Sequence, residues 1–320
     1  MSKKVFMTGL SGFVGRHLGD ILVQKGYDVS ALVRHVADRT DQFEGIDVHF
    51  GDFRDSTTIA DILDNVQPDV IIHLASQISV EYSFTHEEEV MDLNLAGSNM
   101  LASVARKHCK NLEKYIFASS VETYGNQNPN AIPIKESNPQ HPASPYGVAK
   151  MSHELYLKYL YQGYKFPMAI LRSTNTYGRK FRKYNFVIEH ILSNMMNWKG
   201  GSRSIKMGYC EPVRDYLFVD DEVEAYLALL NNDDCIGQTF NTGTGRGVSV
   251  AQLFDIVQKQ VVSGDMFEPM WNINSPRGFE IANLTLDAIK LCDWTGWHAK
   301  VSLEDGIRKT MELNSGKESQ

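Results

Sequence analysis

Tyr146 and Lys150 stand four residues apart in the run Tyr146-Gly147-Val148-Ala149-Lys150, directly after Ser144-Pro145, a pair suited to starting a helix. On a helix this spacing puts both side chains on one face, so that an ammonium sits near a phenol and favours its phenolate. A phenolate so placed is a general base for an alcohol proton. The stretch Ser119-Ser120-Val121-Glu122 lies upstream and adds hydroxyls and a carboxylate. Tyr161 and Lys165 repeat the spacing late in the same helical stretch, next to Gly163. That second pair reads as a packed ring beside a solvated lysine.

The N-terminus carries the other constellation. An apolar run ending at Thr8 leads into Gly9-Leu10-Ser11-Gly12-Phe13-Val14-Gly15, and Arg16 to Val23 then follows with helical spacing of its apolar residues. Strand, glycine turn and helix in this order form a dinucleotide site. Gly9 permits the tight turn, Gly12 lets backbone approach a pyrophosphate, Gly15 packs helix on strand, and the helix N-terminus points at the phosphates. The spacing is G-x-x-G-x-x-G, one residue longer at the first step than the commoner G-x-G-x-x-G.

These residues need a scaffold, and the chain supplies strand-like runs at Tyr27 to Val33, Ile46 to Phe50, Val70 to Ala75, Tyr115 to Ser119 and Met168 to Arg172. Stretches long enough for crossover helices separate several of them. The expected fold is therefore α/β, a parallel, doubly wound sheet of Rossmann type. Ligands of such sheets bind beyond the carboxyl ends of the strands, where Arg34, Asp52, Ser76, Ser120 and Asn175 each follow a run. Beyond Arg172 the pattern loosens into a basic loop at Tyr177 to Asn185. Helical spacing returns at Phe186 to Asn197, Val219 to Leu230 and Val250 to Val262, and Thr239 to Gly243 reads as a late sheet strand. The expected division is a dinucleotide-binding unit over 1–175, completed by about 215–245, and a smaller lobe built from 176–214 and 246–320.

With 320 residues, 42% hydrophobic and 22% charged, the chain has the composition of a folded, water-soluble protein. A net charge of -7 gives no general attraction to nucleic acid or anionic membrane, so phosphate binding has to be local. Cys109, Cys210, Cys235 and Cys292 are scattered without metal-ligand or disulfide spacing, which points to a reducing compartment and no metal. The basic N-terminus is followed by an apolar run that Gly9 and Gly12 interrupt, and no run of about 18 apolar residues occurs. The expectation is a cytoplasmic protein.

Taken in order, the glycine turn, Gly51-Asp52, His73-Leu74-Ala75-Ser76, Asn94 in Asn-Leu-Ala-Gly, Ser119 to Gly125, Tyr146 to Lys150, Asn175-Thr176-Tyr177-Gly178 and Arg214-Asp215-Tyr216 resemble the extended short-chain dehydrogenase/reductases. That superfamily holds nucleotide-sugar epimerases, dehydratases, decarboxylases and reductases, and the resemblance covers nearly the whole chain. It implies that Ser120 hydrogen-bonds a sugar hydroxyl, Tyr146 is the base, and Lys150 holds the nicotinamide ribose while lowering the tyrosine pKa. For the cofactor it implies Gly9, Gly12, Phe13, Val14 and Gly15 at the phosphates, with Asp52 and Phe53 at the adenine. Leu74, Ala75, Ser76 and Asn94 would line its path. His73 is left as a core histidine. The resemblance further implies that Ser79, Asn175, Arg214 and Arg277 contact a nucleotide diphosphate sugar, and that two helices, one leading from Tyr146, form a homodimer or higher homo-oligomer.

Two positions bear on cofactor and reaction. NAD enzymes place an acid at the end of the second strand, whereas Ala31-Leu32-Val33-Arg34-His35 offers Arg34, which suits the 2′-phosphate of NADP. The segment is similar to that of GDP-mannose 4,6-dehydratases. Asp38 follows in the loop and keeps NAD open. Arg179, Lys180, Arg182 and Lys183 could clamp a diphosphate or form a solvated loop. Arg179 also stands where the family often has a proline after tyrosine-glycine.

Glu122 occupies the position where 4,6-dehydratases and UDP-glucuronate decarboxylases carry glutamate, and 4-epimerases usually a small or neutral residue. Oxidation at C4 makes the C5 proton acidic, and a carboxylate can then remove it. Loss of the C6 hydroxyl and return of hydride complete a 4,6-dehydration with balanced redox. Val121 stands where dTDP-glucose dehydratases carry an aspartic acid, so Glu122 would have to act as both base and acid. The expected activity is an NAD(P)-dependent nucleotide-sugar 4,6-dehydratase. The alternatives are a 4-epimerase, a 4-keto-6-deoxy-hexose reductase and a non-catalytic NADP sensor.

Overall fold

The computed structural model of the chain describes residues 2–34, 43–178, 186–261, 264, 266–272 and 280–315. In chain order, β1 (Lys4–Thr8), α1 (Phe13–Gln24), β2 (Asp28–Val33), β3 (Ile46–Phe50), α2 (Ser56–Val66) and β4 (Val70–His73) come first. The short α3 (Val80–Ser83) and α4 (Glu87–Met91) lead through a π-helical turn into α5 (Ser98–His108), and then come β5 (Lys114–Ser120), α6 (Pro145–Tyr164) and β6 (Met168–Ser173). The chain continues as β7 (Asn175–Tyr177), α7 (Val187–Met196), β8 (Ser204–Lys206), β9 (Val213–Phe218), α8 (Val219–Leu230), β10 (Thr239–Thr242) and β11 (Gly247–Ser249). It ends with α9 (Val250–Val261), β12 (Glu268–Met270), β13 (Asn283–Leu284), α10 (Ile289–Thr295) and α11 (Leu303–Asn314).

Seven strands form one parallel sheet in the order β10-β6-β5-β4-β1-β2-β3. Both faces are covered, which is why its strands read as apolar runs rather than alternations. Along β1, Val5 and Met7 pack with Leu18 and Leu22 of α1 and Val223 and Leu227 of α8. Phe6 points to the other face, with Ile59 and Leu63 of α2, Leu101 of α5 and Leu157 of α6. The strand order runs outward in both directions from β1 and β4, so the reversal, and with it the ligand crevice, falls beside β1 at the carboxyl ends.

The chain returns to this sheet at β10, where Thr239 to Thr242 pair in parallel with Ile170 to Ser173 of β6. Strands from both sides of β10 in the chain build a second, four-stranded sheet in which β9 pairs with β7, β11 and β13. Asn175 is therefore carried from the end of β6 directly onto β7, opposite Tyr216 of β9. The run expected over Val70 to Ala75 ends as a strand at His73, and the backbone then bends so that Leu74 and Ala75 become cavity wall.

Candidate active site

A cavity of about 460 Å³ opens over the strand ends. At one end Gly9, Gly12, Phe13, Val14 and Gly15 border it. Gly9 has a φ of +83°, and a Cβ on Gly15 would lie 2.0 Å from the Gly9 carbonyl oxygen, so neither position accepts another residue without moving the turn. Gly12 is the N-cap of α1 and brings no capping side chain, which leaves the first-turn N–H groups open to an anion. Arg34 and Asp52 follow along the wall, with Phe53, Leu74, Ala75 and Ser76. Asp52 accepts two hydrogen bonds from the Arg54 guanidinium, at 3.0 and 2.6 Å, and this pairing holds its carboxyl below the usual range. The residues present fit a dinucleotide, with phosphates at the glycine turn and an exposed arginine at the end of β2.

The opposite end carries the groups for chemistry. Ser120 ends β5 and caps the 3₁₀ turn Val121–Thr123, its Oγ accepting the Glu122 N–H at 3.2 Å. Ser144 accepts the Gly147 N–H at 3.1 Å, and Pro145 occupies the first turn, so α6 begins one residue before Tyr146. A Cβ on Gly147 would meet the Glu122 carbonyl oxygen at 2.7 Å. This close approach brings the helix start against the Glu122 turn, and Ser120, Glu122, Tyr146 and Lys150 all line the cavity.

Burial pushes the Tyr146 phenol up to about 12; its hydrogen bond with Ser120 opposes the rise and the Glu122 charge adds to it. The Lys150 ammonium lies 5.8 Å from the centre of the Tyr146 ring and donates to the Ala118 carbonyl at 2.8 Å. Burial pulls Lys150 itself down to about 7, partly offset by Glu154. The Ser120 hydrogen bond thus favours the Tyr146 phenolate.

Other candidates fall elsewhere. Asn175 is on the cavity wall, but its amide donates to the Asp215 carbonyl at 3.2 Å. Arg214 donates to the carbonyls of Val213 and Ile281 at 3.0 and 2.8 Å and pairs with Glu280 at 3.2 Å, which places it in the second sheet rather than on the wall. Ser79 caps α3, accepting the Tyr82 N–H, while its neighbours Ile78 and Val80 reach the cavity. Asn94 lies buried behind the wall and exchanges two hydrogen bonds of 2.8 Å with the Gln77 backbone. Arg277, Asp38 and the cluster Arg179, Lys180, Arg182 and Lys183 lie outside the described residues.

His73 is a core residue, its ring nitrogens 2.7 Å from Thr8 Oγ1 and 2.8 Å from Ser98 Oγ, and burial pulls it down to about 3. Tyr161 packs under Gly237 and lies off the cavity, with Lys165 as the left-handed cap of α6. Among the described residues no group of histidines, cysteines and carboxylates could hold a metal, and no helix is long and apolar enough to cross a membrane.

Two buried carboxylates near the site had no signal in local spacing. Glu154 of α6 accepts from both Arg172 Nε and a terminal guanidinium nitrogen, at 3.0 and 2.6 Å, and from Ser119 at 2.5 Å. Arg172 also donates to Tyr124 Oη at 2.8 Å, which bonds Asn241 of β10 at 2.7 Å. This network ties β5, β6, β10 and α6 together beneath the reacting groups. Glu222 of α8 is the second, and it lines the cavity itself.

The family described as GDP-mannose 4,6 dehydratase matches residues 6–310. A putative UDP-glucose 4-epimerase of Methanocaldococcus jannaschii is 30% identical over 96% of this chain and 97% of its own length. The dTDP-D-glucose 4,6-dehydratase of Mus musculus is 27% identical over 97% of this chain and 88% of its own. Among solved structures, the UDP-glucose 4-epimerase of Thermotoga maritima with UDP-glucose superimposes with a TM-score of 0.87 at 31% identity, covering 97% of both chains. With the glycine turn and the Ser120, Tyr146 and Lys150 constellation on one cavity, the chain belongs to the NAD(P)-dependent nucleotide-sugar epimerase/dehydratase family.

Proposed function

We propose that the protein is an NADP-dependent nucleotide-sugar 4,6-dehydratase. The observation that carries this reading is the placement of Glu122 beside Tyr146 and Ser120 on one cavity wall, close enough for its charge to raise the Tyr146 pKa. Tyr146, assisted by Ser120, takes the proton of the C4 hydroxyl. Bound NADP supplies the two-electron acceptor for C4 and the donor for C6. Glu122 takes the C5 proton, made acidic by the neighbouring ketone. With Val121 unable to donate, the same Glu122 proton leaves with the C6 hydroxyl as water, and the proton that C5 regains when hydride reaches C6 comes from solvent. Lys150 holds the cofactor ribose in this reading, and Asn175, Ser79 and Arg277 serve the nucleotide side.

The choice of NADP rests on Arg34, which is exposed on the cavity wall where a 2′-phosphate would need a cation. Arg34→Ala should weaken NADP about tenfold or more and NAD little, measured by titration with each; equal losses would remove the assignment.

A 4-epimerase is the second reading, favoured by the names of the two relatives at 30 and 31% identity. Incubating GDP-, UDP-, dTDP- and CDP-hexoses with the protein in deuterated water, without added NADPH, separates the two. Dehydration appears as loss of water with deuterium at C5; inversion at C4 with an unchanged ring composition means epimerisation. For a dehydratase, Glu122→Gln should keep C4 oxidation and lose C5 exchange, and unchanged turnover would end that role for Glu122.

A further inference from the structure

The cavity has a polar corner that the reaction above does not use. Ser173 at the end of β6, in register with Ser120 of β5, donates to Glu222 at 2.5 Å. Thr242 at the end of β10 donates to the other carboxylate oxygen at 2.9 Å. Tyr226, one turn along α8, shares a hydrogen bond with Ser173 and is buried. Ser173, Glu222 and Tyr226 line the same cavity as Tyr146.

Glu222 bridges the ends of β6 and β10 through Ser173 and Thr242. It occupies the core-facing stripe of α8, with Val219, Tyr226 and Leu229 above and below it, and is only 1% exposed. Burying an ionisable group there is costly, and burial pushes it up to about 7. Two hydroxyl donors leave acceptor capacity on a carboxyl group that has about four lone-pair sites.

The direction of the cofactor follows from the strand order. The Arg34 and Asp52 end lies over β2 and β3, the glycine turn follows β1, and Tyr146 fixes the reacting end beside β5. The nicotinamide carbon that exchanges hydride must face the alcohol held at Tyr146, and its carboxamide sits on the adjacent ring carbon. Towards β4 the wall offers Leu74 and Ala75 with the single hydroxyl of Ser76; towards β6, about one strand spacing of 4.8 Å away, it offers the cluster of Ser173, Glu222 and Tyr226. A buried amide requires partners for its two N–H donors and its carbonyl.

We propose that Glu222, with Ser173 and Tyr226, is the recognition site for the nicotinamide carboxamide, Glu222 accepting an amide N–H. Tyr146 then approaches the strand ends from the α6 face of the sheet and Glu222 from the α8 face, which fixes the rotation of the ring between them. The inference rests on the nicotinamide cofactor alone and not on dehydration, so an epimerase would keep it.

Calorimetric titration with NADP and with its 3-acetylpyridine analogue, in which a methyl replaces the amide nitrogen, tests it without turnover. The wild-type protein should prefer NADP about tenfold or more. Glu222→Val and Ser173→Ala should bring the ratio towards one through weaker NADP binding, while 2′-phospho-AMP, which has no nicotinamide, binds all variants alike and shows that the site is folded. Glu222→Met, which keeps much of the volume and carries no oxygen acceptor, covers the case in which valine disturbs α8. Preference retained in Glu222→Val or, should that variant not fold, in Glu222→Met overturns the proposal, as does a wild-type ratio of one. Loss of sugar-nucleotide binding with the cofactor ratio intact overturns it too, by moving the cluster to the substrate side.

Discussion

The β5–α6 corner and the second sheet use their charged residues in opposite ways. At the corner, Ser120, Glu122, Tyr146 and Lys150 all reach the cavity wall, although Tyr146 and Lys150 are buried enough to shift their pKa values. In the second sheet, Arg214 turns to the Ile281 and Val213 carbonyls and Glu280, and Asp215 accepts the N–H groups of Thr244 and Gly245. Parallel strands ending at one level deliver side chains to a common edge with little help from elsewhere. A strand in a sheet built from distant segments has its polar groups taken up in holding those segments together.

The largest effect that could break this contrast is at Tyr146. Tyr146→Phe should cut C4 oxidation by about 10²–10⁴-fold while leaving NADP affinity and Tm near wild type. Single-turnover measurement of cofactor reduction with the best hexose checks it, and a small loss would shift the base role to another group. Beneath the corner, Glu154→Gln removes the partner of the buried Arg172 guanidinium and should destabilise the fold by about 3–5 kcal/mol in urea unfolding. A loss of activity without loss of stability would instead bring Glu154 into the reacting site. For the second sheet, Arg214→Ala should lower stability by about 1–3 kcal/mol through the carbonyls and Glu280 it abandons, with KM for the sugar nucleotide little changed. A large KM rise at full stability would restore Arg214 as a diphosphate contact.

The smallest effect concerns pH. Glu222 binds its proton more tightly folded, at about 7, than its ordinary value of 4.5, so the folded state holds more protons between these limits. Stability should therefore fall as pH rises from about 4.5 to about 7, by on the order of 1–3 kcal/mol, and Glu222→Gln should flatten that part of the profile. A flat wild-type profile would mean that the carboxyl group is hydrated.

Local pattern carried far in the nucleotide-binding half. The run Ile46 to Phe50 is β3, Val219 to Leu230 is α8, and the turn at Gly9, Gly12 and Gly15 lies where strand meets helix. These are short-range facts: apolar periodicity, a proline at a helix start, glycines where a Cβ would collide. The family resemblance assigned Arg214 to the substrate through the motif that carries it, and the partners of its guanidinium in the folded chain are residues 280 and 281, more than sixty positions later.

The amino-acid sequence by itself pointed to the parallel sheet and the dinucleotide turn, since each is signalled by neighbours within a strand, a turn or one helix, and its resemblance to a known family singled out Ser120, Tyr146 and Lys150. Only the tertiary structure brought Ser120 into hydrogen-bond contact with Tyr146. It alone decided, too, that Glu154 locks Arg172 under the site and that Glu222 enters the cavity from a helix that reads as ordinary core. Each of these rests on contacts between strands and helices far apart in the chain, and burial sets the strength of a charge only once those segments have met.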